Sequence, residues 1–448
     1  MPSRFTRSSA PLIAGSYVRC AVESEQRSAE IVKRRLIDNG EKSSVNGSDD
    51  EGAILDPSQF EYYVHFKGCD RRLDEWVTFD RIKGEITDPE EIASFERAEG
   101  KKATSKRQKR AAAAAAALEE DDEATVSIWG HGQGHDEHTK VRNIQRVQFG
   151  KYVIPAWYYS PYPGDYGTCD TLYICEFTFK YMRKRSTYER HLKAQRQRHP
   201  PGKEIYRDES KRLSVYEIDG RVDVLYCQNL CLFAKLFIEH KTLYYDPEPF
   251  MFYVVVEWDD EGACHPMGYF SKERASSEGY NLACILVLPV HQRKGLGKFL
   301  ISLSYEISKR AGVEGHPEKP LSDLGKVAYR SYWSCIILYI FRNMIETQNF
   351  YGIEQMVHET SIRKEDLIST LHVMDMLKHM RGQYAMCVNK HNVMNRIEVY
   401  VKKRYAGNFV QPMLFLQRAD SDKEFHVIGM GNKEAKNEEA SNKMEEGS

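Results

Sequence analysis

Between Gly15 and Ile82, apolar and polar positions alternate through three short runs: SYVRCAV, AEIVKRRLI and FEYYVHF. The polar stretch DNGEKSSVNGSDDEGA interrupts them. A period of two broken by turn residues predicts short strands curled into a small β-barrel over residues 15–90. The pattern then collapses over 91–137 into the basic run GKKATSKRQKR, seven alanines and LEEDDEA. That composition predicts a solvated linker, helical in part because alanine is the best helix former. From His138 to Leu416 the apolar periodicity returns. LSVYEIDGRVDVLYC sets Asp219-Gly220 between two alternating runs and predicts a hairpin. NLCLFAKLFIEH predicts an amphipathic helix, and MFYVVVEW and CHPMGYFS predict strands flanking the turn DDEGA. Strands that neighbour in sequence, with helices packed on them, predict an antiparallel or mixed sheet and an α+β class. MVHETSIRKEDLISTLHVMDMLKHMRGQYAMCV reads as helix, turn, helix and short strand, a winged-helix-like segment. Residues 1–14 and 417–448 are polar enough to predict disorder.

Composition narrows the class. Across 448 residues, 64 Lys and Arg meet 65 Asp and Glu, so no global field points to nucleic acid or a membrane surface. Ten cysteines are too dilute for a disulfide scaffold, and no apolar leader opens the sequence. No run approaches the ~18 apolar residues a membrane span needs. The expected compartment is reducing, cytosol or nucleus.

One stretch carries chemistry. In CILVLPVHQRKGLGKFLI, residues 284–301, an apolar strand runs into two cations and two glycines, and a helix follows at once. Phe299, Leu303 and Ile307 line one face of that helix, and Lys309, Arg310 and Gly312 mark its end. Glycines let backbone approach a ligand, and a helix N-terminus favours an anion. The spacing is neither the phosphate loop of nucleotide triphosphatases nor the dinucleotide fingerprint. On its own, a G-x-G before a helix is also a plain turn.

With SPYPGDYG, YCQNLCLFAKLFIEHKTLYYD, HPEKPLSDLGKVAYRSYW and HPPGKEIYR, this stretch resembles the MYST family of histone lysine acetyltransferases over about residues 138–416. YYVHFKGCDRRLDEWV resembles the family's chromo-barrel. Barrel, linker and HDEHTKVRNIQRVQFG together look most similar to the males-absent-on-the-first branch, with the Tip60 and yeast Esa-type branches as close runners-up. The resemblance implies a GNAT-like mixed sheet, acetyl-coenzyme A as cofactor, and histone tails, nucleosomes and a chromatin-modifying complex as partners in the nucleus. It implies Glu318 as general base and Cys284 beside the thioester. It implies Lys241 as a self-acetylated lysine. Cofactor contacts follow at Ile285, Val287, Gln292, Arg293, Lys294, Gly295, Leu296, Gly297, Lys298, Ser322 and Ser331. Lysine is protonated near neutrality, with a pKa of about 10.4, so its amine needs a base before it attacks. Two mechanisms compete, an acetyl-cysteine relay and direct attack, and direct attack is favoured. Apart from the resemblance, Glu318 is a surface residue between prolines, a buried strand cysteine is usually packing, and Ser322 is a plausible helix N-cap.

Two departures temper the match. The family's zinc finger uses Cys-Cys-His-Cys. Over residues 170–200 this chain keeps Cys175 and His191 but has Thr178 and Gln195 at the other two positions. Neither supplies the N or S donor a structural zinc wants, so weak or absent zinc is expected, with the finger held by Tyr173, Phe177, Phe179 and Tyr181. Cys169 is a conceivable substitute donor. In the barrel, Tyr17, Tyr63, Phe66 and Trp76 could form a cage for methyl-lysine, but Cys69 replaces an expected aromatic. RNA or a complex partner is at least as good a ligand there. Besides an active acetyltransferase acting on the histone-four tail, two readings therefore stay open. One is a catalytically weak module that binds acetyl-coenzyme A or chromatin, and the other is a nucleic-acid binder using the basic linker and C-terminal helices.

Overall fold

The computed structural model describes residues 11–23, 25–37, 56–95, 141–239, 241, 246–350, 352–380, 383–386 and 388–400. The expected lead through residue 10, the linker over 96–137 and the tail from 417 lie outside them. The chain divides into two compact units. One comprises 1–147, 155–172 and 235–240, and the other 148–154, 173–234 and 241–448.

In the first unit, β1 (Tyr17–Val22), β2 (Glu25–Leu36), β3 (Phe60–Phe66), β4 (Glu75–Thr78) and β5 (Ile82–Glu85) form one antiparallel sheet in the order β4-β3-β2-β1-β5. Register shifts between Ile31 and Lys33 and between Arg19 and Cys20 are the kind of irregularity that bends a strand around a small core. Val18, Cys20, Ala29, Ile31, Phe60, Tyr62, Val64 and Phe66 fill that core, as the alternation predicts.

In the second unit, β6 (Lys203–Asp208), β7 (Leu213–Asp219), β8 (Phe250–Trp258), β9 (Cys264–Glu273) and β10 (Ile285–Val287) form an antiparallel sheet in that order. β8 and β9 make the hairpin expected around DDEGA. Asp219-Gly220 does not. After β7 the chain turns directly into a helix, α1 (Val224–Lys235). Asp219 accepts the Arg221 amide at 2.7 Å, which seals that turn. The alternation in RVDVLYC is overridden because Tyr226, Cys227, Leu230, Cys231 and Phe233 bury around the helix, which is apolar nearly all round rather than amphipathic.

α2 (Leu296–Ala311) packs Leu296, Phe299, Leu300 and Leu303 onto Tyr206, Val215, Tyr253, Val255 and Phe270 of the sheet, with Ile307 at the margin. Its other side, Ile301 and Tyr305, joins a helical core with α3 (Asp323–Thr347), α4 (Ile353–Thr360) and α5 (Lys364–Val373). A short hairpin of Leu377–Met380 with Gln383–Met386 follows α5, matching the expected helix-turn-helix-strand order. Among the described residues, no helix is long and apolar enough to cross a membrane.

The edge strand β10 depends on Gly268. A Cβ there would stand 2.6 Å from the Leu286 carbonyl oxygen. Gly268→Ala should therefore pry β10 from β9 and cost about 1–3 kcal/mol, the usual scale of overpacking. Denaturant unfolding checks the cost, and unchanged stability would refute this account of the edge.

Candidate active site

β10 presents its backbone outward. The Cys284 carbonyl accepts the Ser271 amide at 2.8 Å, and the Leu288 amide donates to Met267 at 3.0 Å. Even positions thus face β9, which turns the N–H and C=O of Ile285 and Val287 to the open edge. The Val287 carbonyl takes the side chain of Gln292 at 3.0 Å, anchoring the loop that follows. Arg293 and Gly295 adopt positive φ, 62° and 86°, and Gly295 caps α2. The amides of Lys298 and Phe299 turn back to the Gly295 carbonyl. Leu296 and Gly297, in the first turn, have no helical carbonyl before them. A Cβ on Gly297 would meet only a Val287 methyl, at 4.0 Å. The expected cofactor residues 285–298 thus form one continuous strand, loop and helix start, and this shape fits a pyrophosphate. Arg293 and Lys294 are exposed, whereas Lys298 is buried and desolvation pulls its amine down to about 8.

Ser322 stands at the start of α3 and accepts the Gly325 amide at 3.0 Å, so the N-cap role is real. Ser331 lies two turns farther along the same helix, half-buried.

Beside β10, a short parallel pair assembles the remaining groups. β11 (Tyr280–Leu282) lies next to β12 (His316–Pro317), and the Glu318 amide donates to the Leu282 carbonyl at 2.9 Å. Leu282 is two residues from Cys284, whose amide is held by the Ser271 hydroxyl at 3.2 Å. Lys241 is buried and points its ammonium at Cys284 Sγ, 3.6 Å away. Burial opposes the charge on Lys241, but facing Cys284, Tyr269 and Cys231 outweigh it and hold the proton on. Glu318 is exposed as a residue, hence approachable. Desolvation of its carboxyl, with Glu273 nearby, still raises it above the ordinary carboxylate range, and Lys241 pulls the other way. Cys284 and Lys241 therefore meet, and Glu318 lies close enough for the Lys241 charge to act on its carboxyl, although the three are scattered over 78 positions of sequence.

The finger residues converge without making a metal site. The Thr178 hydroxyl lies 3.4 Å from His191 Nε2, the ring nitrogen facing it, while Gln195 gives its amide to the Gln197 carbonyl. Burial, with Lys180, pulls His191 below its usual range. Thr178 and Gln195 offer no donor that a structural zinc takes, so Cys175 and His191 alone do not fit a four-ligand zinc. Packing holds the finger instead. Cys175, Phe177, Met182, Tyr188 and Ala263 cluster, flanked by Tyr173 and Leu192. Phe179 joins Phe149, Phe233 and Tyr226 rather than that cluster. Tyr181 belongs to neither, and Tyr188, one turn into the finger helix, was the aromatic that the sequence pattern did not single out.

The four barrel aromatics do not form a cage. Phe66 faces the core. Tyr63 and Trp76 pair across β3 and β4 at 5.3 Å, but the Arg35 guanidinium lies 4.0 Å from the Trp76 ring centre, braced by Glu61. Tyr17 stacks on Phe95 and carries Lys67 at 4.9 Å. Alternation sends Phe66 to the opposite face of β3 from Tyr63, so the four do not converge. The protein's own cations already sit on two of them.

The MOZ/SAS family pattern matches residues 199–415, and the MYST family zinc finger domain matches 141–194. The RNA binding activity-knot of a chromodomain matches 12–84. An Arabidopsis thaliana protein named histone acetyltransferase of the MYST family 2 is 41% identical over 380 residues, covering 85% of this chain and 80% of its own. The chain belongs to the MYST family. Other members include a Caenorhabditis elegans histone acetyltransferase Tip60 homolog, 38% identical with 86% and 85% covered. Drosophila melanogaster histone acetyltransferase MOF is 40% identical, with 76% of this chain and 46% of that protein covered. A MYST acetyltransferase uses acetyl-coenzyme A, and the open edge and helix start described above suit it. The finger pattern matches this chain even though two of its expected ligand positions carry no ligand.

Proposed function

We propose that this protein transfers acetyl from acetyl-coenzyme A to lysine ε-amines of nucleosomal histone tails, the histone-four tail favoured, in the nucleus and within a chromatin-modifying complex. The observation that carries the reading is Glu318, tied by its amide to Leu282, with a carboxyl raised by desolvation and Glu273. Bound acetyl-coenzyme A would supply the thioester. Glu318 takes a proton from the incoming lysine ammonium, and the free amine attacks the acetyl carbonyl directly. Cys284 supports that step from beside the acetyl group. Its side-chain partner is the Lys241 ammonium, 3.6 Å away. Lys241 is itself a self-acetylation site in this scheme. Acetylation would remove the charge that lowers Glu318 and so make Glu318 a stronger base. The cofactor is held by residues 285–298, Ser322 and Ser331. The barrel contacts RNA or a complex partner, because Arg35 already occupies the Trp76 face that methyl-lysine would need.

Glu318→Gln should lower kcat on a histone-four tail peptide by about 10² to 10⁴-fold with acetyl-coenzyme A binding intact. Cofactor binding with no transfer by either protein would instead mark a binding module. Because the Glu318 carboxyl is raised from 4.5, its base form is present above the raised value and lost on acidification below it. Activity should thus fall at a higher pH than for an ordinary carboxylate, read from a pH–rate profile. Metal analysis of purified protein should find far less than one zinc per chain, and Thr178→Cys with Gln195→Cys should restore binding. Stoichiometric zinc in the native protein would contradict the Thr178–His191 account.

A further inference from the structure

His316 is almost fully buried, at 3% exposure, two residues before Glu318. It pairs with Tyr280 in the parallel ladder, and the two rings meet edge to face at 4.8 Å. Nε2 lies 3.1 Å from the Glu278 carbonyl, so that nitrogen must carry the proton. Arg363 grips the same carbonyl at 2.9 Å, while its amide bonds Gly315 and the Gly315 amide bonds Ser361. β12 is only two residues long; backbone bonds at Gly315 and Glu318 hold its two ends, and between them this ring is the side-chain tie to the chain before β11.

We propose that His316 is a positioning residue for acetyl transfer: its imidazole pins β12 to β11, fixing Glu318 beside Cys284. The proposal rests on Glu318 being the base. Nδ1 has no hydrogen-bond partner and is buried. A neutral ring tolerates an idle lone pair, whereas a protonated ring would bury a charge whose second N–H has only the adjacent Pro317 carbonyl to turn to. The groups facing His316 act accordingly. Burial lowers its pKa, the Glu278 carbonyl raises it, and the cations Arg363 and Lys319 lower it. Glu278 and Glu318 reach this region through Tyr280, as does Glu273. Acidification therefore puts a buried charge beside Arg363 and Lys319, which destabilises the pin although its Nε2–H bond to Glu278 persists, and it also protonates the base.

The test uses full-length protein, acetyl-coenzyme A and a histone-four tail peptide. His316→Leu should lower kcat by about 10- to 100-fold, the cost of misplacing a reacting group by an ångström or so, with KM for acetyl-coenzyme A unchanged. His316→Gln can donate to the same carbonyl and cannot titrate. It should stay within a few-fold of wild type, with an acid limb of kcat/KM that follows one proton fewer. Wild-type kcat in His316→Leu, or equal loss in both variants, overturns the proposal. An unaltered acid limb in His316→Gln also overturns it, and that result decides the matter if His316→Leu does not fold. Full activity of Glu318→Gln would instead overturn the base assignment beneath it, whereas an inactive Glu318→Gln beside an unaffected His316→Leu overturns only the role of His316.

Discussion

The hydrogen bond from the Glu318 amide to the Leu282 carbonyl is the constraint on which the catalytic arrangement turns. Glu318 lies in a loop rich in proline, and nothing in the local backbone would aim it. Parallel pairing of β12 with β11 places it at the end of a strand that runs within two residues of Cys284. Glu318, Cys284 and Lys241 then share one electrostatic environment. Glu318 rises with burial and Glu273 while Lys241 opposes the rise, and Lys241 in turn holds its proton against burial because Cys284 faces it.

The sheet and α2 supply the complementary half. An edge strand offers outward backbone at alternate residues, and the helix that follows it begins with glycines and free amides. The two meet at the Val287–Gln292 contact, which ties the loop to the strand. A thioester bound along that edge would extend toward Cys284 at the strand's start. The division of labour is physical. Under the proposed function, backbone would hold the part of the cofactor that does not react, and side chains would gather where the bond is made.

The finger and the barrel are shaped by substitution of one interaction for another. Where a metal would draw four donors together, Thr178 and His191 meet directly and an aromatic cluster around Tyr188 supplies the cohesion. Where a ligand cation could sit on Trp76, Arg35 sits already. Both units keep their folds because burial of apolar surface, not the specialised contact, dominates their stability.

Much of this was legible along the chain. Alternation located β1, β2, β3, β8 and β9, and the glycine-cation run located the start of α2, because period and turn chemistry act over a few residues. The family's motifs pointed to Glu318, Cys284 and Lys241 by resemblance, and the missing finger ligands were visible as plain letters. Local pattern misread Asp219-Gly220, since helix or strand there depends on how many sides of Tyr226 to Phe233 are buried. It could not show that Phe66 joins the barrel core while Tyr63 buries against Trp76, nor that His316 is buried against Tyr280. The sequence by itself determined which residues could do chemistry and where elements begin. Only the tertiary structure decided which of those residues meet and which way each proton is pushed. Proximity and desolvation are properties of segments far apart in sequence packed into one volume.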